Sequence, residues 1–206
     1  MRKFPFPRFS VERAGVSWIV VFLGNPGRKY AGTRHNAGFM AAEKAESATR
    51  ARIDRVKFRS VTAIASMGGE RVLLQKPHTF MNLSGSAVWE AMCFYKIPLG
   101  HVVAVSDDIA LPVGALRIRG SGSSGGHNGL KDIIAKCGGE AFPRVRIGVG
   151  APPANGADVL DWVLSRFSDA DIKILDAVFE RAVSAVGTII TSGVERAMNE
   201  FNTRGD

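Results

Sequence analysis

The sequence predicts one α/β domain with three layers, in which helices cover both faces of a twisted mixed β-sheet. Three observations support this fold class. Apolar runs with strand character alternate with amphipathic helical stretches along the chain. A length of 206 residues with 46% hydrophobic residues is enough to bury one core. No internal repeat divides the chain.

Apolar runs bounded by turn residues predict the strands of this sheet. They cover residues 18–23, 59–67, 72–76, 101–106, 115–119 and 144–149. The first run ends at an Asn-Pro-Gly turn, which is typical of a buried strand followed by a loop. Gly68 and Gly69 separate the second run from the third, which indicates a strand pair joined by a short turn.

Helices are predicted between these strands. They cover residues 39–51, 82–94, 129–137 and 158–165, and a final helix begins after residue 168. We expect Asn82 or Ser84 to cap the second of them. Ser168 and Asp171 have the spacing of a capping box, with Asp in place of Glu or Gln. The final helix places Ile172 and the apolar residues that follow it on one face, which predicts a core contact.

The charge is unevenly distributed. Residues 1–150 carry 22 Lys and Arg against 10 Asp and Glu, whereas residues 151–206 carry 5 against 9, and the net charge is +8. A basic body with an acidic end indicates a polyanionic partner such as a nucleic acid. Residues 1–15 are basic, contain Pro5 and Pro7 and have no apolar core of a signal peptide. They predict a disordered extension, followed by a single α/β domain over residues 16–206.

The sequence indicates a soluble, cytoplasmic protein. No apolar run approaches the ~20 residues that a membrane-spanning helix needs. Cys93 and Cys137 lie far from each other and from any histidine pair, so we expect buried thiols in a reducing compartment, without a disulfide or a zinc site. No coiled coil or long apolar edge is visible, and a monomer is expected.

The glycine-serine stretch 120–126 matches two well-known patterns. Its G-x-G-x-x-G spacing resembles a dinucleotide fingerprint, but such a loop should follow the first strand and open a helix directly. Its G-x-S-x-G spacing resembles a nucleophile elbow around Ser124, but that arrangement requires a histidine further along the chain than His127. Both interpretations are disfavoured. A flexible loop that leads to His127 and Asn128 and closes over a ligand remains.

His35 is the strongest candidate for a general base. A neutral imidazole accepts a proton from water at neutral pH, and it needs a partner that fixes its tautomer. Asp107 follows the predicted strand 101–106 and is our candidate for that partner. We interpret the neighbouring Asp108 as the solvated member of an acidic pair. His78 and His101 are expected to be structural or exposed.

Three asparagines lie in or just after turns at strand ends, namely Asn25, Asn82 and Asn128. A side-chain amide has both donors and an acceptor, so it suits binding of a water, a peptide carbonyl or a developing oxyanion. A single asparagine in a turn usually serves only the turn. Three at comparable places favour a shared site.

Four motifs together resemble bacterial peptidyl-tRNA hydrolases. These are L-G-N-P-G from residue 23, T-R-H-N-A-G from residue 33, F-M-N-L-S-G from residue 80 and G-G-H-N-G-L-K-D-I from residue 125. The resemblance extends over about residues 18–202. It implies a single α/β/α domain, with a lid at about residues 150–164, that cleaves the ester between a peptide and the terminal ribose of tRNA. It also implies that no metal or other cofactor is used.

The resemblance implies roles for particular residues. His35 acts as the base, Asp107 orients it and Asn25 completes the catalytic group. The residues implied to bind the substrate are Tyr30, Asn36, Phe80, Met81, Asn82, His127 and Asn128. The residues implied to bind the tRNA near its acceptor end and 5′-phosphate are Arg117, Arg119, Lys131, Arg144 and Arg146.

Some positions depart from the family pattern. The segment that usually reads H-D-E-L-D-L-P is S-D-D-I-A-L-P at residues 106–112, which retains Asp107 but leaves the roles of Asp108 and Ala110 open. Ser123 and Ser124 replace residues that are often glycine or histidine. Two alternatives stay open at this point: a non-catalytic RNA-binding relative, and a hydrolase of small esters without a tRNA requirement.

Overall fold

The computed structural model describes residues 15–153 and 158–202. Within these residues the chain forms a seven-stranded mixed sheet in the order β2-β3-β4-β1-β5-β7-β6. The strands are β1 Trp18–Phe22, β2 Arg55–Lys57, β3 Ser60–Met67, β4 Glu70–Pro77, β5 Val102–Asp108, β6 Leu116–Arg119 and β7 Arg144–Gly148. The predicted extension at residues 1–15 falls outside the described residues, except for Gly15.

Helices lie on both faces of the sheet. They are α1 Ala37–Thr49, α2 Ser84–Tyr95, α3 Asn128–Cys137, α4 Val159–Leu164, α5 Asp169–Ser192 and α6 Val194–Phe201. Apolar side chains of α1, α5 and α6 pack with Val20 and Phe22 on one face of β1. Those of α2 and α3 pack with Ile19 and Val21 on the other face. This alternation along β1 confirms the three-layer α/β/α prediction.

The central strands run parallel and their loops converge at one edge. β1 pairs in parallel with β4 and β5, and β5 pairs in parallel with β7. β3 is antiparallel to β2 and β4, and β6 is antiparallel to β7. β1 and β5 are adjacent and parallel, so their carboxyl ends lie side by side, and the crevice lined by His35 and Asp107 opens there.

Gly38 allows α1 to lie directly on the sheet. A Cβ atom at this position would collide with the carbonyl oxygens of Leu23 and Val105, which belong to the segments of β1 and β5. The helix therefore begins immediately beside the ends of both strands. This close approach explains why a glycine follows T-R-H-N-A, and it fixes the position of the histidine three residues earlier.

Several predictions about the elements require correction. β5 extends to Asp108, so Asp107 lies in the strand and does not follow it. The residue that caps α2 is Leu83, without a side-chain cap, because Ser84 instead donates to the Met81 carbonyl at 2.9 Å. Ile172 is 36% exposed and faces away from the core. By contrast, the capping box of Ser168 and Asp171 is confirmed.

β2 and α6 were not predicted. β2 is a three-residue strand whose side chains are all exposed, so it has no apolar pattern. α6 packs against β6 at the sheet edge. Asn202, directly after α6, forms hydrogen bonds with both the N–H and the carbonyl of Ile118 in β6. Its Oδ1 accepts from Ile118 N at 2.6 Å and its Nδ2 donates to Ile118 O at 3.1 Å. The amide thereby satisfies part of an open strand edge.

The structure also bears on the expectations about membrane-spanning helices and about the two cysteines. No helix in the described part of the chain is both long and apolar enough to cross a bilayer. Cys137 is buried, as predicted, but the prediction for Cys93 was wrong, because its thiol is exposed near the end of α2. Both cysteines are free.

Candidate active site

The predicted catalytic residues meet at the carboxyl edge of the central strands. Asn25 follows β1, and Asp107 lies near the end of β5. His35 lies in a short 3₁₀ helix, Arg34–Asn36, that leads into α1. All three side chains are buried, with Asn25 and His35 at 7% exposure and Asp107 at 4%. The crevice between β1 and β5 therefore holds a compact polar cluster.

The imidazole of His35 is held by the carboxylate of Asp107. His35 Nδ1 lies 3.0 Å from each of the two carboxylate oxygens. An ionised carboxylate only accepts hydrogen bonds, so Nδ1 carries the proton and donates. The other ring nitrogen, Nε2, then has a free lone pair, and no side chain or backbone group in the described residues binds it. The geometry leaves one basic nitrogen available at the crevice.

His127 binds the same carboxylate from the other side. Its Nε2 lies 2.9 Å from Asp107 Oδ1. Its Nδ1 accepts from the backbone N–H groups of Gly129 and Leu130 at 3.1 and 3.3 Å and so caps α3. Since Nδ1 is an acceptor, Nε2 carries the proton and donates to Asp107. Sequence reasoning placed His127 only near the site, whereas the structure makes it a direct partner of Asp107.

The contacts within the cluster shift the pKa values of Asp107 and His35. Burial alone would raise the pKa of Asp107, but the charges of His127 and His35 and the hydrogen bonds from them outweigh burial and hold this pKa well below its usual range. Burial alone would lower the pKa of His35, but the charge of Asp107 and its hydrogen bond raise that pKa above 6.5. Asp107 is therefore a permanent anion, and His35 is a stronger base than a free histidine.

Asn36 fixes the turn that carries Asn25. Its Oδ1 accepts from Asn25 N at 2.8 Å, and its Nδ2 donates to Asn25 O at 3.0 Å. The Oδ1 of Asn25 in turn accepts from Met81 N at 2.8 Å. These bonds fix the orientation of both amides, and they leave the Nδ2 group of Asn25 without a partner in the described residues. Asn36 and Met81 thus hold Asn25 in position, and the Nδ2 group of Asn25 remains available as a donor.

A cleft of about 330 Å³ opens beside the cluster. Its polar lining is formed by His35, Asp107 and the segment from Ser124 to Asn128, together with Asp108, Arg146 and Asp158. The apolar lining residues are Ile109, Leu130, Val159, Leu160 and Val163. Three of these come from α4, in the region predicted as a lid, of which residues 154–157 lie outside the described part.

The remaining predicted substrate residues differ in their relation to the cleft. Asn128 lines it as the first residue of α3, whereas Tyr30, Phe80 and Asn82 are not among its lining residues in the described part of the chain. Tyr30 and Phe80 contact each other edge to face, with ring centroids 6.5 Å apart, and Phe80 is 56% exposed. Asn82 is exposed in the 3₁₀ helix Met81–Leu83, and its side chain makes no hydrogen bond to a described residue. The structure therefore places Asn82 on an open surface beside Met81.

Arg34 connects the base to the lid region, and sequence reasoning gave it no role. It is 7% exposed. Its guanidinium donates to Val149 O at 2.8 Å, to Ser165 Oγ at 3.3 Å and to Asp171 Oδ2 at 3.2 Å. It also lies 4.0 Å from the centre of the Trp162 ring in α4. The only signal was its place next to His35 in T-R-H-N.

The antiparallel strands β6 and β7 carry four arginines, and we call them the basic strand pair. Arg117 lies opposite Arg146, and Arg119 lies opposite Arg144. Arg119 is exposed, as is Lys131 on α3. Arg144 is only 2% exposed, with its guanidinium 4.2 Å from the Phe142 ring and bonded to Glu140 O at 3.2 Å. Arg144 is therefore the most buried of the five residues predicted to bind tRNA.

Asp108 is paired and not solvated, contrary to our interpretation. It is 6% exposed, and its Oδ2 lies 2.9 Å from Arg146 Nε. Its Oδ1 accepts from Ala110 N at 2.9 Å. The ion pair fixes Arg146 at the wall of the catalytic cleft, with 27% of its side chain exposed. Arg146 is thus both neutralised by Asp108 and open on one side.

His35, Asp107 and His127 are also the cluster in the described residues whose atoms are close enough to share a metal ion. The contacts to Asp107 are 2.9–3.0 Å, which is hydrogen-bond length. Both histidine nitrogens that face Asp107 carry protons, for the reasons given above. Hydrogen bonding thus accounts for the cluster, and metal independence remains a prediction.

Comparison with known proteins identifies the family. The sequence model of the family described as peptidyl-tRNA hydrolase matches residues 19–206. The chain belongs to the peptidyl-tRNA hydrolase family. The peptidyl-tRNA hydrolase of Caldanaerobacter subterraneus subsp. tengcongensis is 49% identical over 185 residues, which cover 90% of this chain and 99% of the relative. That of Carboxydothermus hydrogenoformans is 44% identical over 188 residues, which cover 91% and 100%.

A solved structure agrees with this assignment. The crystal structure of peptidyl-tRNA hydrolase from Acinetobacter baumannii superimposes with a TM-score of 0.84 at 33% identity, and the match covers 92% of this chain and 96% of that one. The predicted fold class and the predicted family are both confirmed. The chain is a hydrolase that acts on peptidyl-tRNA and releases tRNA and peptide.

Proposed function

We propose that His35, in its neutral form, is the general base that activates water for attack on the peptidyl ester. The observation that carries this proposal is the pair of 3.0 Å contacts from His35 Nδ1 to Asp107. They fix the tautomer and direct Nε2 away from the carboxylate. A base must hold its lone pair toward the reacting atom, and Nε2 is the nitrogen left for this purpose.

The proposed reaction conserves its proton. Water transfers one proton to His35 Nε2, and its oxygen bonds to the ester carbonyl carbon. The tetrahedral intermediate then breaks the bond between that carbon and the ribose oxygen, which takes the proton from His35. Asp107 stays ionised throughout and stabilises the imidazolium between the two steps.

Amide donors stabilise the oxyanion in this proposal. Asn25 has an Nδ2 group left free because its Oδ1 is bound by Met81 N. Asn128 lines the cleft at the beginning of α3. A donor that is already oriented toward the developing charge typically contributes about 2.7–4 kcal/mol to transition-state stabilisation. We assign this role first to Asn25, since its orientation is fixed by three hydrogen bonds of the turn.

The tRNA is proposed to dock with its acceptor end on the basic strand pair β6 and β7. Arg119 and Lys131 are exposed, Arg117 is half-buried and Arg146 is partly open at the cleft. Phosphate contacts of this kind provide affinity that weakens as salt rises. Tyr30, Phe80 and Asn82 are proposed to contact the peptide, and the region 150–164 to act as a lid held by Arg34. We further propose a cytoplasmic monomer that needs no metal.

The test is single-turnover and steady-state hydrolysis of N-acetyl-aminoacyl-tRNA by wild type and by His35→Ala, with free aminoacyl-tRNA as the substrate control. Loss of a general base should lower kcat by about 10²–10⁴-fold. His101→Ala is the matched control, because His101 lies at the amino end of β5, where its ring stacks on Trp18 at 4.3 Å and its Nδ1 lies 3.0 Å from Ser17 O, away from Asp107. Near-normal turnover by His35→Ala would refute the assignment of the base.

The same assay separates the alternatives. A minimal substrate, the N-acetyl-aminoacyl ester of adenosine, lacks the tRNA body. A small-ester hydrolase would use it as well as the full substrate, whereas this proposal expects a much lower kcat/KM. Tight tRNA binding without turnover by the wild type would indicate the RNA-binding alternative.

A further inference from the structure

The sheet has an uncovered face at its β2 edge. Along β3, Ala63 and Ala65 are buried, whereas Ile64, at 41% exposure, and Ser66 point to solvent. These exposed residues lie on the face that α2 covers farther along the sheet, because successive side chains of a strand alternate. β2 extends this face, and no helix of the described residues lies over it. This part of the sheet, on a face that a helix covers elsewhere, is therefore exposed to solvent.

Basic side chains cover this open face. Arg55 of β2 lies opposite Thr62 of β3, and Lys57 lies opposite Ser60, so both project on the same face. Both are exposed. Arg71 lies opposite Ser66 and joins them from β4. A groove of about 790 Å³ runs over these residues, with Arg52 and one acid, Asp54, at its rim. The groove has a clear excess of positive charge.

Aromatic rings from α2 form one wall of the groove. Phe94 is 59% exposed, and Tyr95 lies beside it. The ammonium of Lys57 lies 3.7 Å from the Phe94 ring centre, 4.8 Å from that of Phe58 and 5.7 Å from that of Tyr95. Cation–π contacts with three rings hold this charge at a defined place and so lower the entropy cost of binding an anion there. We call Arg55, Lys57, Ile64, Arg71 and Phe94 the basic face.

We propose that the basic face binds single-stranded RNA. A positively charged groove with exposed aromatic rings is the combination that binds unpaired nucleic acid, because phosphates contact the cations and bases stack on the rings. Charge argues against the amino-terminal segment as the occupant, since residues 1–14 contain Arg2, Lys3, Arg8 and Arg13 against Glu12 alone. An occupant of opposite charge is required.

The basic face is separate from the catalytic cleft. The cleft lies at the carboxyl ends of β1 and β5, whereas the groove lies at the β2 edge of the sheet. The groove extends from Gly15, Val16 and Arg71, at the amino ends of β1 and β4, to Lys57, which lies opposite Ser60. No described residue lines both sites. RNA on the basic face is additional to the tRNA acceptor end, and the proposed RNA binding goes beyond hydrolysis of peptidyl-tRNA.

The test is fluorescence anisotropy of a short labelled oligouridylate with a 5′-hydroxyl, titrated with the full chain at several salt concentrations. The double variant Arg55→Ser/Lys57→Ser should bind about tenfold more weakly at low salt. The slope of log K against log salt should fall by about 1.4, because each lost single-strand phosphate contact accounts for about 0.7. Hydrolysis of peptidyl-tRNA by this variant should keep its kcat.

Three comparisons decide the outcome. Lys173→Ser/Arg181→Ser changes the net charge equally on α5 and should leave RNA binding within about twofold of wild type. Phe94→Leu keeps apolar volume but removes a stacking ring, and it should weaken binding about fivefold or more. An equal loss in the α5 control, no loss in the β2 variant, or displacement of RNA by oligoglutamate as readily as by unlabelled RNA would overturn the proposal.

Discussion

The catalytic cluster and the basic strand pair lie on neighbouring strands but use polar side chains in opposite ways. In the cluster, Asp107 binds His35 and His127 over distances of 2.9–3.0 Å, and both His35 and Asp107 are buried. In the strand pair, arginines of β6 lie directly opposite arginines of β7. Like charges at such positions destabilise a sheet. The first region therefore depends on geometry, and the second maintains an electrostatic potential at some cost in stability.

This difference indicates what each region controls. A fixed hydrogen-bond network sets the protonation state and direction of one reacting atom, so damage to it should reduce kcat. A set of surface charges attracts a polyanion from a distance, so damage to it should change KM and the salt dependence. The two regions meet at Asp108 and Arg146, whose ion pair adjoins both. Mutations can test whether the division holds.

The largest effect is expected from Asp107→Asn. An asparagine keeps the shape of the side chain but has only one acceptor oxygen for the two histidine N–H groups that now bind Asp107. Its NH₂ group would face one ring nitrogen and favour the wrong tautomer of His35. We expect kcat for N-acetyl-aminoacyl-tRNA to fall about 10²–10⁴-fold with little change in KM, measured by steady-state kinetics.

The neighbouring carboxylate provides the control. Asp108→Asn removes the same charge one residue away without touching His35, and it releases Arg146. This variant should keep most of its kcat, and its change should appear in KM. Equal losses of kcat in both variants would show that local charge, and not the hydrogen bond to His35, is what matters.

A smaller effect is expected from Arg119→Ser. Arg119 is exposed on the edge strand β6, and we propose that it contacts tRNA phosphate. Its loss should raise KM about tenfold at low salt, leave kcat unchanged and lower the salt slope of binding by about 0.7–0.9. Filter binding of tRNA across a salt series, with Lys173→Ser as the control, measures this. An unchanged slope would remove Arg119 from the proposed clamp.

Most strands, most helices and the pairing of His35 with Asp107 could be predicted from the sequence. The features that were not predicted have physical causes. The strands and most helices followed from apolar periodicity, since that periodicity reports burial. β2 was missed because all three of its side chains are exposed. His35 and Asp107 were paired correctly because a base needs an anionic partner. The Asp108–Arg146 pair was missed because it joins β5 to β7, and no local pattern reports which charges meet across a sheet.

The direct role of His127 was missed for a similar reason. Its capping bonds to Gly129 and Leu130 are local, but its contact with Asp107 depends on where α3 meets β5. Arg34 likewise bonds residues more than a hundred positions away, at Val149 and Ser165. The identity of a polar residue is visible in sequence, whereas its partner depends on tertiary packing.

The pH profile should show the smallest effect and should distinguish the two regions most cleanly. Burial lowers the pKa of His35, but the charge of Asp107 and its hydrogen bond raise it above 6.5. Only neutral His35 accepts a proton, so kcat/KM, which reports the free enzyme, should increase as pH rises through a pKa above 6.5. In Asp107→Asn the raising contributions are lost while burial persists, so the acid limb of the residual kcat/KM should move to lower pH.

Arg119→Ser should lower kcat/KM but leave its acid limb in place, because Arg119 acts on binding and does not contact His35. Stability should change in the opposite direction from activity. The folded pKa of His35 is higher than its unfolded value, so the protonated pair stabilises the fold fully below about 6.5 and loses this contribution as pH rises through the folded pKa. The melting temperature and kcat/KM measured over the same pH range should therefore change in opposite directions through one titration of His35. A wild-type acid limb below 6.5 would contradict the coupling between His35 and Asp107, and an equal shift in Arg119→Ser would contradict the separation of the two regions.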